Sequence, residues 1–587
     1  MTSYSFNRFT VSLSYRIATQ RPKPIHSPQQ WSTGGLAQPG RSKSHLTQGG
    51  QEQAPFHATA VHVPETLRHE QRRPISTAEL DKYRDTRERV VILGSGWAGY
   101  TLSKEIDHRK YQVVIISPRS YFVFTPLLAS TSVGTLEFRT AVEPIRSRRN
   151  KSSFIQGWAD DVDLFNKTVT IEEAVSDPQQ GLAQTAARNA GKDAEQLQTE
   201  TEHKVHSGQM FDLKYDKLVI AVGCYNQTFN IRGVKEHANF LKDVGDARAI
   251  RKRLLECFET AALPTTPDDV RRQILHFAVV GGGPTGIEFA AELHDLIHED
   301  MKRIYPGLIR FTRISIYDVS PNVLSQFDGK LASFAAQHFS RRGIEIKTSR
   351  AIEELAPGLP YVDQNLQSGR LGFTLKVKGE VDEGIGMCIW STGLMMNPFI
   401  KKALSAIRKF PPNEVIFKDR VEDALQVQWH IMQDPKTGSI VTNDRLRVLI
   451  TPDGPHGPMK AHLRDVFAIG DCSVIEGKQY PATAQVANQK ALWLAKRLNK
   501  NDLYGETSRF RFRNLGIMAY LGGAKAIFEG GKGVGNISGR TAWLIWRVSL
   551  LSGSPSHHDR RLTTAQRALT SRRVSLGAIG FSYPCTG

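Results

Sequence analysis

Two glycine-rich loops, each leaving an apolar β-branched run, are the residues of this chain best suited to hold an anionic ligand. The first is Arg89-Val-Val-Ile-Leu-Gly94-Ser-Gly96-Trp-Ala-Gly99, and the second is Phe277-Ala-Val-Val-Gly281-Gly-Gly283-Pro-Thr-Gly286; their leading glycines lie 187 residues apart. In a G-x-G-x-x-G pattern the glycines allow a tight strand-to-helix turn and a close approach of backbone to a pyrophosphate. The helix amino terminus then stabilises the anion with free N–H groups. A tight turn without a ligand uses the same glycines, but each copy here follows a strand-like run and opens a helical apolar pattern, the context the motif requires. Two nucleotide seats in one polypeptide point to electrons passing from one cofactor to another, and so to a redox enzyme.

Other polar residues sit where they can act on such ligands. The strand after the second loop, Arg313-Ile-Ser-Ile-Tyr317, ends at Asp318. A carboxylate there binds both hydroxyls of an adenosine ribose and repels a 2′-phosphate, which favours NADH over NADPH; the alternative is an ordinary turn aspartate. After the first loop the equivalent stretch, Ile116-Ser117-Pro118-Arg119, has no acid. Asp471 follows the short apolar run Phe467-Ala-Ile-Gly470 and serves either as a helix cap or as a cofactor ligand. In Ala484-Gln485-Val-Ala487-Asn-Gln489 the two glutamines are four apart and share one face of a helix. That face either lines a pocket or is simply solvated. The five cysteines (Cys224, Cys257, Cys388, Cys472 and Cys585) show no C-x-x-C spacing, which argues against a disulfide framework, a structural zinc site or a redox dithiol. No metal site is expected.

The elements that must position these groups read as alternating strands and helices. A strand, turn and helix occupy 90–108, and a second strand is Val113-Val-Ile-Ile116. Regular structure resumes at Tyr215-Asp-Lys-Leu-Val-Ile-Ala-Val-Gly223 after a polar stretch at 176–208, which reads as an exposed loop or short surface helix. A new α/β unit begins at Ile274 with a helix over Ile287–Ile304. The Pro- and charge-rich stretch 408–460 reads as an insertion, and a helix covers Ala482–Leu498. This alternation predicts an α/β fold of two Rossmann-like, doubly wound parallel-sheet domains, the second nested in the first if 467–498 returns to the amino-terminal fold.

A chain of 587 residues holds about two to four domains. Of its formal charge of +19, much lies at the ends: residues 1–89 carry 13 Lys/Arg against 7 Asp/Glu, and residues 536–587 carry 7 Arg against Asp559 alone. There is no basic stripe interleaved with aromatics and no zinc spacing, so no nucleic-acid partner is expected. No acid precedes Glu52, while Arg8, Arg16, Arg21, Lys23, Arg41 and Lys43 lie among many Ser and Thr, the pattern of a mitochondrial transit peptide. No apolar run reaches the ~18 residues of a membrane span.

The first loop, Ser117-Pro-Arg-Ser-Tyr-Phe-Val-Phe-Thr-Pro-Leu-Leu128, the second loop and Phe467-Ala-Ile-Gly-Asp-Cys472 together resemble the alternative (type II) NADH:ubiquinone oxidoreductases of mitochondria, which are flavoproteins with two dinucleotide-binding domains. The resemblance runs from about residue 88 to about 547. It implies FAD in the first fold, with Gly94, Ser95, Gly96, Trp97, Ala98 and Gly99 at the pyrophosphate and Ser117 and Pro118 beyond the second strand. It also implies Thr125 and Pro126 beside the flavin ring, Gly223 near the flavin, and Gly470 and Asp471 at its ribityl or phosphate region. NADH (NAD) takes the second fold through Gly281, Gly283, Pro284, Thr285 and Gly286, with Asp318 on the ribose. Glu288 lies near the nicotinamide, and Thr392 and Gly393 lie in the block Ser391-Thr-Gly393. Glu288 at a helix first turn also suits the helix dipole by itself. Ala484, Gln485 and Gln489 match the family's A-Q-x-A-x-Q quinone motif.

The implied activity is hydride transfer from NADH to FAD and of two electrons onward to ubiquinone, without proton pumping. The resemblance divides the chain into a transit peptide and linker (1–85), an FAD-binding domain in two parts (86–262 and 461–510), an NADH-binding domain (263–407), an insertion (408–460), a membrane-associated region (511–550) and an aberrant, disordered tail (551–587). The implied partners are ubiquinone, the inner mitochondrial membrane bound peripherally from the matrix side, and a second copy in a homodimer. The family pattern holds through Thr541-Ala-Trp-Leu-Ile-Trp-Arg547 and is lost from Ser552 onward, which leaves the anchor open. A flavoprotein reductase of a soluble electron carrier, or an inactive NADH-binding flavoprotein, remain the alternatives.

Overall fold

The computed structural model describes residues 76–147, 150–174, 208–362, 371–404, 415–416, 429–452, 460–503, 509–531 and 535–553. The expected transit stretch before residue 76, nearly all of the polar insertion at 176–208, and the tail beyond 553 lie outside them. In chain order the elements that build the site are α1 (Thr77–Lys82), β1 (Glu88–Leu93), α2 (Trp97–Glu105), β2 (Tyr111–Ser117), β3 (Lys217–Ile220), β4 (His276–Val280), α3 (Pro284–Leu296), β5 (Arg313–Tyr317), β6 (Ile344–Lys347) and β7 (Met387–Trp390). There follow β8 (Ala461–Ala468), α4 (Ala484–Lys500), β9 (Ile517–Gly522), β10 (Lys525–Glu529), β11 (Ile537–Gly539) and α5 (Arg540–Gly553).

Strand β1 is central in the first sheet, running parallel to β2 on one side and β3 on the other. Its residues 89–93 are all buried, as a strand covered on both faces must be; this is why Val90–Leu93 is a continuous apolar run and not an alternation, while the buried Arg89 pairs with Asp81. One face is closed by α2 and α4, whose Leu102, Ala487, Ala491, Leu494 and Leu498 pack on Val90 and Ile92. The second sheet has the order β6-β5-β4-β7, all parallel. The chain leaves the first sheet after β3, builds the second, and comes back when Val466–Ala468 of β8 pair in parallel with Leu218–Ile220. The second doubly wound fold is therefore nested in the first, as the strand–helix alternation predicts.

Several boundaries differ from expectation. Folded structure begins before residue 85: Leu80 of α1 is buried, Asp81 pairs with Arg89, and Arg84 pairs with Asp216. The stretch 408–460, expected as an insertion, carries strands of the first sheet. Within it Trp429–Ile431, Ile440–Thr442 and Arg447–Pro452 extend the first sheet, burying Trp429, Ile440, Val448 and Ile450. Their pairing is mostly antiparallel, with Ile440–Thr442 also parallel to Ser473–Ile475, and partly distant, which short-range periodicity does not register. Helix α3 starts at Pro284, earlier than expected, because proline at the first helical position needs no N–H partner. The last described helix runs to Gly553, past the expected end of order at 550.

After α4 an extended segment leads to the antiparallel sheet β9-β10-β11, followed by α5. This sheet packs on α3, the helix that leaves the second glycine loop, through Ala519, Leu521 and Ile527. Among the described residues no helix is long and apolar enough to cross a membrane.

Candidate active site

The two loops have one geometry. Gly94 and Gly281 adopt φ of +108° and +114°, and their N–H groups donate to Ile116 and Tyr317 at the ends of the neighbouring strands, 2.8 Å in both cases. A Cβ on Gly94 would lie 2.3 Å from the Ala221 carbonyl oxygen. A Cβ on Gly99 or Gly286 would lie 2.0 Å from the carbonyl oxygen of the first glycine of its own loop. The middle glycines differ: Gly96 and Gly283 face open space, with nothing within 4 Å of a Cβ built there. The outer glycines are thus required by the turn itself. The middle ones keep a cradle clear in front of a helix amino terminus, where an anionic diphosphate fits.

Around the first cradle the fold gathers most of the residues expected there. Ser95 Oγ lies 2.9 Å from Ser117 Oγ, cross-linking the loop to the end of β2, and Pro118 follows. The Trp97 indole N–H donates to Thr125 Oγ1 (3.0 Å), which places Thr125 and Pro126 beside the loop. Gly223 and Gly470, after β3 and β8, take φ of +67° and +83°. A Cβ on Gly470 would meet Ala98 at 3.3 Å and Ala487 at 3.9 Å, so the loop carrying Asp471 abuts the starts of both α2 and α4, close to Ala484. The Asp471 carboxylate lies 3.6 Å from Cys224 Sγ, and Lys242 Nζ donates to the Cys224 carbonyl (2.9 Å). Burial raises the Cys224 thiol, with Lys242 opposing.

At the second cradle Asp318 stands where a ribose acid is needed. Its carboxylate accepts the Gly282 N–H (2.5 Å) and the Ser320 N–H (2.7 Å), which fixes it against the loop. Thr285 is exposed and Pro284 half-buried at the first turn of α3. Ser391 Oγ donates to the Val280 carbonyl (3.1 Å) beneath the loop, a role its place beside Thr392 and Gly393 did not announce. Gly393 (φ +73°) leads into Leu394–Met396, which pairs antiparallel with Cys224–Asn226. This short ribbon ties the two folds together next to both cradles.

Helix α3 carries a line of carboxyls toward the C-terminal sheet. Glu288 accepts the Tyr520 N–H (3.1 Å); burial pushes its carboxyl up to about 7, opposed by that N–H and by the Trp546 indole. One turn on, Glu292 accepts from Ser130 Oγ (2.6 Å) and Thr135 Oγ1 (2.9 Å), and burial pushes it to about 7 as well. Asp295 accepts the Tyr520 hydroxyl (2.8 Å). Glu292 and Tyr520 were not singled out by the sequence; the i, i+4 spacing of Glu288 and Glu292 on one face was the signal available.

Gln485 and Gln489 do share a face of α4, and that face meets the extended segment after it. Gln485 Oε1 accepts the Leu515 N–H (3.1 Å), and its Nε2 donates to the Gly516 carbonyl (3.3 Å). Gln489 Oε1 accepts the Arg513 N–H (2.9 Å), and its Nε2 donates to the Arg513 carbonyl (2.8 Å). The face is neither simply solvated nor an open pair of amides. Next to them Lys490, 2% exposed, donates to the Ser473 carbonyl (2.9 Å) and hydroxyl (3.1 Å); burial pulls its ammonium down to about 8. Cys257, Cys388 and Cys472 are buried, Cys224 is half-buried, all four are free, and Cys585 lies outside the described residues.

A family model described as pyridine nucleotide-disulphide oxidoreductase matches residues 88–409. The chain is 33% identical over 470 residues to a probable NADH dehydrogenase of Dictyostelium discoideum, covering 79% of this chain and 85% of that protein. It is 31% identical to the external NADH-ubiquinone oxidoreductase 2, mitochondrial, of Saccharomyces cerevisiae, covering 81% of this chain and 79% of the relative. Among solved structures, NDH2 from Plasmodium falciparum in complex with NADH superposes with a TM-score of 0.63 at 24% identity, covering 83% of this chain and 98% of that one.

Proposed function

Because the chain belongs to the pyridine nucleotide-disulphide oxidoreductases, and within them to the alternative NADH dehydrogenases, we infer that it is a non-proton-pumping NADH:ubiquinone oxidoreductase of mitochondria. FAD belongs in the first cradle and NADH in the second. The observation that carries this reading is the pair of matching loops, each with an open middle glycine before a helix amino terminus and joined by one ribbon. When bound, FAD takes a hydride from NADH and returns two electrons to an acceptor.

The chain's own residues bind, orient and hold protons. Gly94, Gly96 and Gly99, with the start of α2, hold one diphosphate; Gly281, Gly283 and Gly286, with the start of α3, hold the other. Asp318, already fixed by Gly282, accepts the ribose hydroxyls and repels a 2′-phosphate, so NADH is preferred to NADPH. Trp97, which donates to Thr125, would lie at the diphosphate, Thr125 and Pro126 would lie beside the flavin ring, and Asp471 would hold its ribityl or phosphate region. Quinone reduction consumes protons, and Glu288, with a carboxyl at about 7, is the group suited to carry one near neutral pH. The acceptor approaches where α4, the segment 513–516 and the C-terminal sheet converge.

The test is spectroscopic: purified protein should show flavin absorbance, bleached anaerobically by NADH and restored by a short-chain ubiquinone. Bleaching without restoration would remove quinone as acceptor and favour a soluble carrier.

We place the protein peripherally on the inner membrane. Leu544 and Val548 of α5, 57% and 54% exposed, are four apart and form an apolar stripe, with Arg547 over the Trp543 ring. Charging the stripe by Leu544→Glu and Val548→Glu should abolish co-flotation with anionic liposomes. The matrix side and a homodimer complete the reading; protease protection in mitoplasts and sedimentation in detergent are their tests.

A further inference from the structure

We propose that Gln485 and Gln489 are positioning residues that grip the backbone of residues 513–516 and so set the register of the sheet that meets α3. They act through that segment. Its consequence for the acceptor rests on the quinone reading above; the grip itself does not.

The spacing explains the grip. Residues four apart on a helix rise about 6 Å, and residues two apart in an extended chain span about 6.6–6.8 Å. Two glutamines four apart on a helix therefore reach alternate residues of a strand lying antiparallel to it. That is the arrangement found: Gln485 reads Leu515 and Gly516, while Gln489 reads Arg513 on both its N–H and its carbonyl. Each amide meets the chain as a neighbouring strand would, with one acceptor and one donor used. One N–H and one lone pair per side chain are left over.

The gripped segment lies between two fixed points. Upstream, Phe510 is buried against Tyr480 and Trp493, and its N–H donates to the Asp444 carbonyl (2.8 Å). Downstream, Gly516 (φ +100°) turns the chain into β9, where Tyr520 gives its N–H to Glu288, its hydroxyl to Asp295 and its ring face to Trp546 of α5. A slip of one residue in β9 would turn Tyr520 to the opposite face and undo all three contacts. Leu515, 60% exposed, is held outward by the same grip. The glutamines thus act at a distance on the carboxyls of α3.

The experiment is hydrogen–deuterium exchange at single-residue resolution on the FAD-loaded protein, with no acceptor present. In the wild type the Arg513 and Leu515 amides should exchange about five- to thirty-fold more slowly than that of Asn514 between them. Gln489→Ala should release Arg513 and Gln485→Ala should release Leu515, each alone. Gln489→Glu and Gln485→Glu should retain part of the protection, because a carboxylate still accepts the N–H but cannot donate to the Arg513 or Gly516 carbonyl. In steady-state assays the alanine variants should raise the KM for a short-chain ubiquinone, and the glutamate variants should raise it less. Uniform exchange across 513–515 in the wild type overturns the proposal even if an alanine variant does not fold. Unchanged exchange in the alanine variants together with a raised quinone KM also overturns it, and makes the glutamines direct contacts of the acceptor. Failure of ubiquinone to restore the NADH-bleached flavin would instead remove the quinone reading and leave the grip standing.

Discussion

Replacing Glu292 by glutamine removes a titratable group while keeping the side chain's shape. The carboxyl is 5% exposed and takes hydrogen bonds from Ser130 (2.6 Å) and Thr135 (2.9 Å). Burial outweighs those donors and lifts it from an ordinary 4.5 to about 7. At ~1.36 kcal/mol per pH unit, that rise makes the ionised form cost about 3 kcal/mol in the folded protein. The sign follows from proton counting. Between pH 4.5 and 7 the native state keeps a proton that the unfolded chain has released, so stability falls as pH rises through that window. Below it the carboxyl costs nothing, and above it the full cost is present. Glutamine carries no such cost, but its amino group cannot accept one of the two hydroxyls, a loss of about 1 kcal/mol. The variant should therefore be more stable than wild type by about 2 kcal/mol at pH 8 and less stable by about 1 kcal/mol at pH 4.5. Urea unfolding followed by tryptophan fluorescence, with FAD saturating, reads both. A difference of the same sign at the two pH values would refute the reasoning. Because the Glu292 charge also raises Glu288, one turn away, the variant should shift the upper limb of the pH–rate profile to lower pH.

Gly96→Ala and Gly94→Ala should separate cradle from turn. The first adds a methyl in open space, so folding is kept while FAD affinity falls by about tenfold or more. The second forces φ of +108° on a side chain placed 2.3 Å from the Ala221 carbonyl, at a cost of about 1–3 kcal/mol or more in stability; flavin-to-protein absorbance ratios and thermal midpoints distinguish the two. Asp318→Asn should narrow the preference for NADH over NADPH by about tenfold in kcat/KM, since the carboxylate that repels a 2′-phosphate is gone. Lys490, held at about 8 by burial, is neutral in the native state before it is in the unfolded chain, so wild-type stability should climb by up to about 3 kcal/mol between pH 8 and 10.5. Lys490→Met should flatten that climb; an unchanged slope in denaturation across the window counts against it.

What the sequence by itself determined is whatever depends on a residue and its near neighbours. Gly94 and Gly281 allow the positive φ that a tight strand-to-helix turn uses, Val90–Leu93 and Phe277–Val280 are continuous apolar runs because parallel strands are covered on both faces, and Asp318 stands one residue past β5. From these, two strand–loop–helix units of an α/β fold could be read, whereas the nesting of the second in the first waited on the return of β8 beside β3. Tertiary structure alone decided the partners. The strands between Trp429 and Pro452 are buried only because β8 returns beside β3. Glu288 and Glu292 are pushed up to about 7 by burial against elements distant in the chain, which outweighs the hydrogen bonds they accept from Tyr520 and Ser130. The helical spacing of Gln485 and Gln489 showed that they share a face, but what that face touches lies some 24 to 31 residues further along the chain. A side chain's donors and acceptors are written in its chemistry; the groups that satisfy them are set by which distant backbone the fold brings within 3 Å.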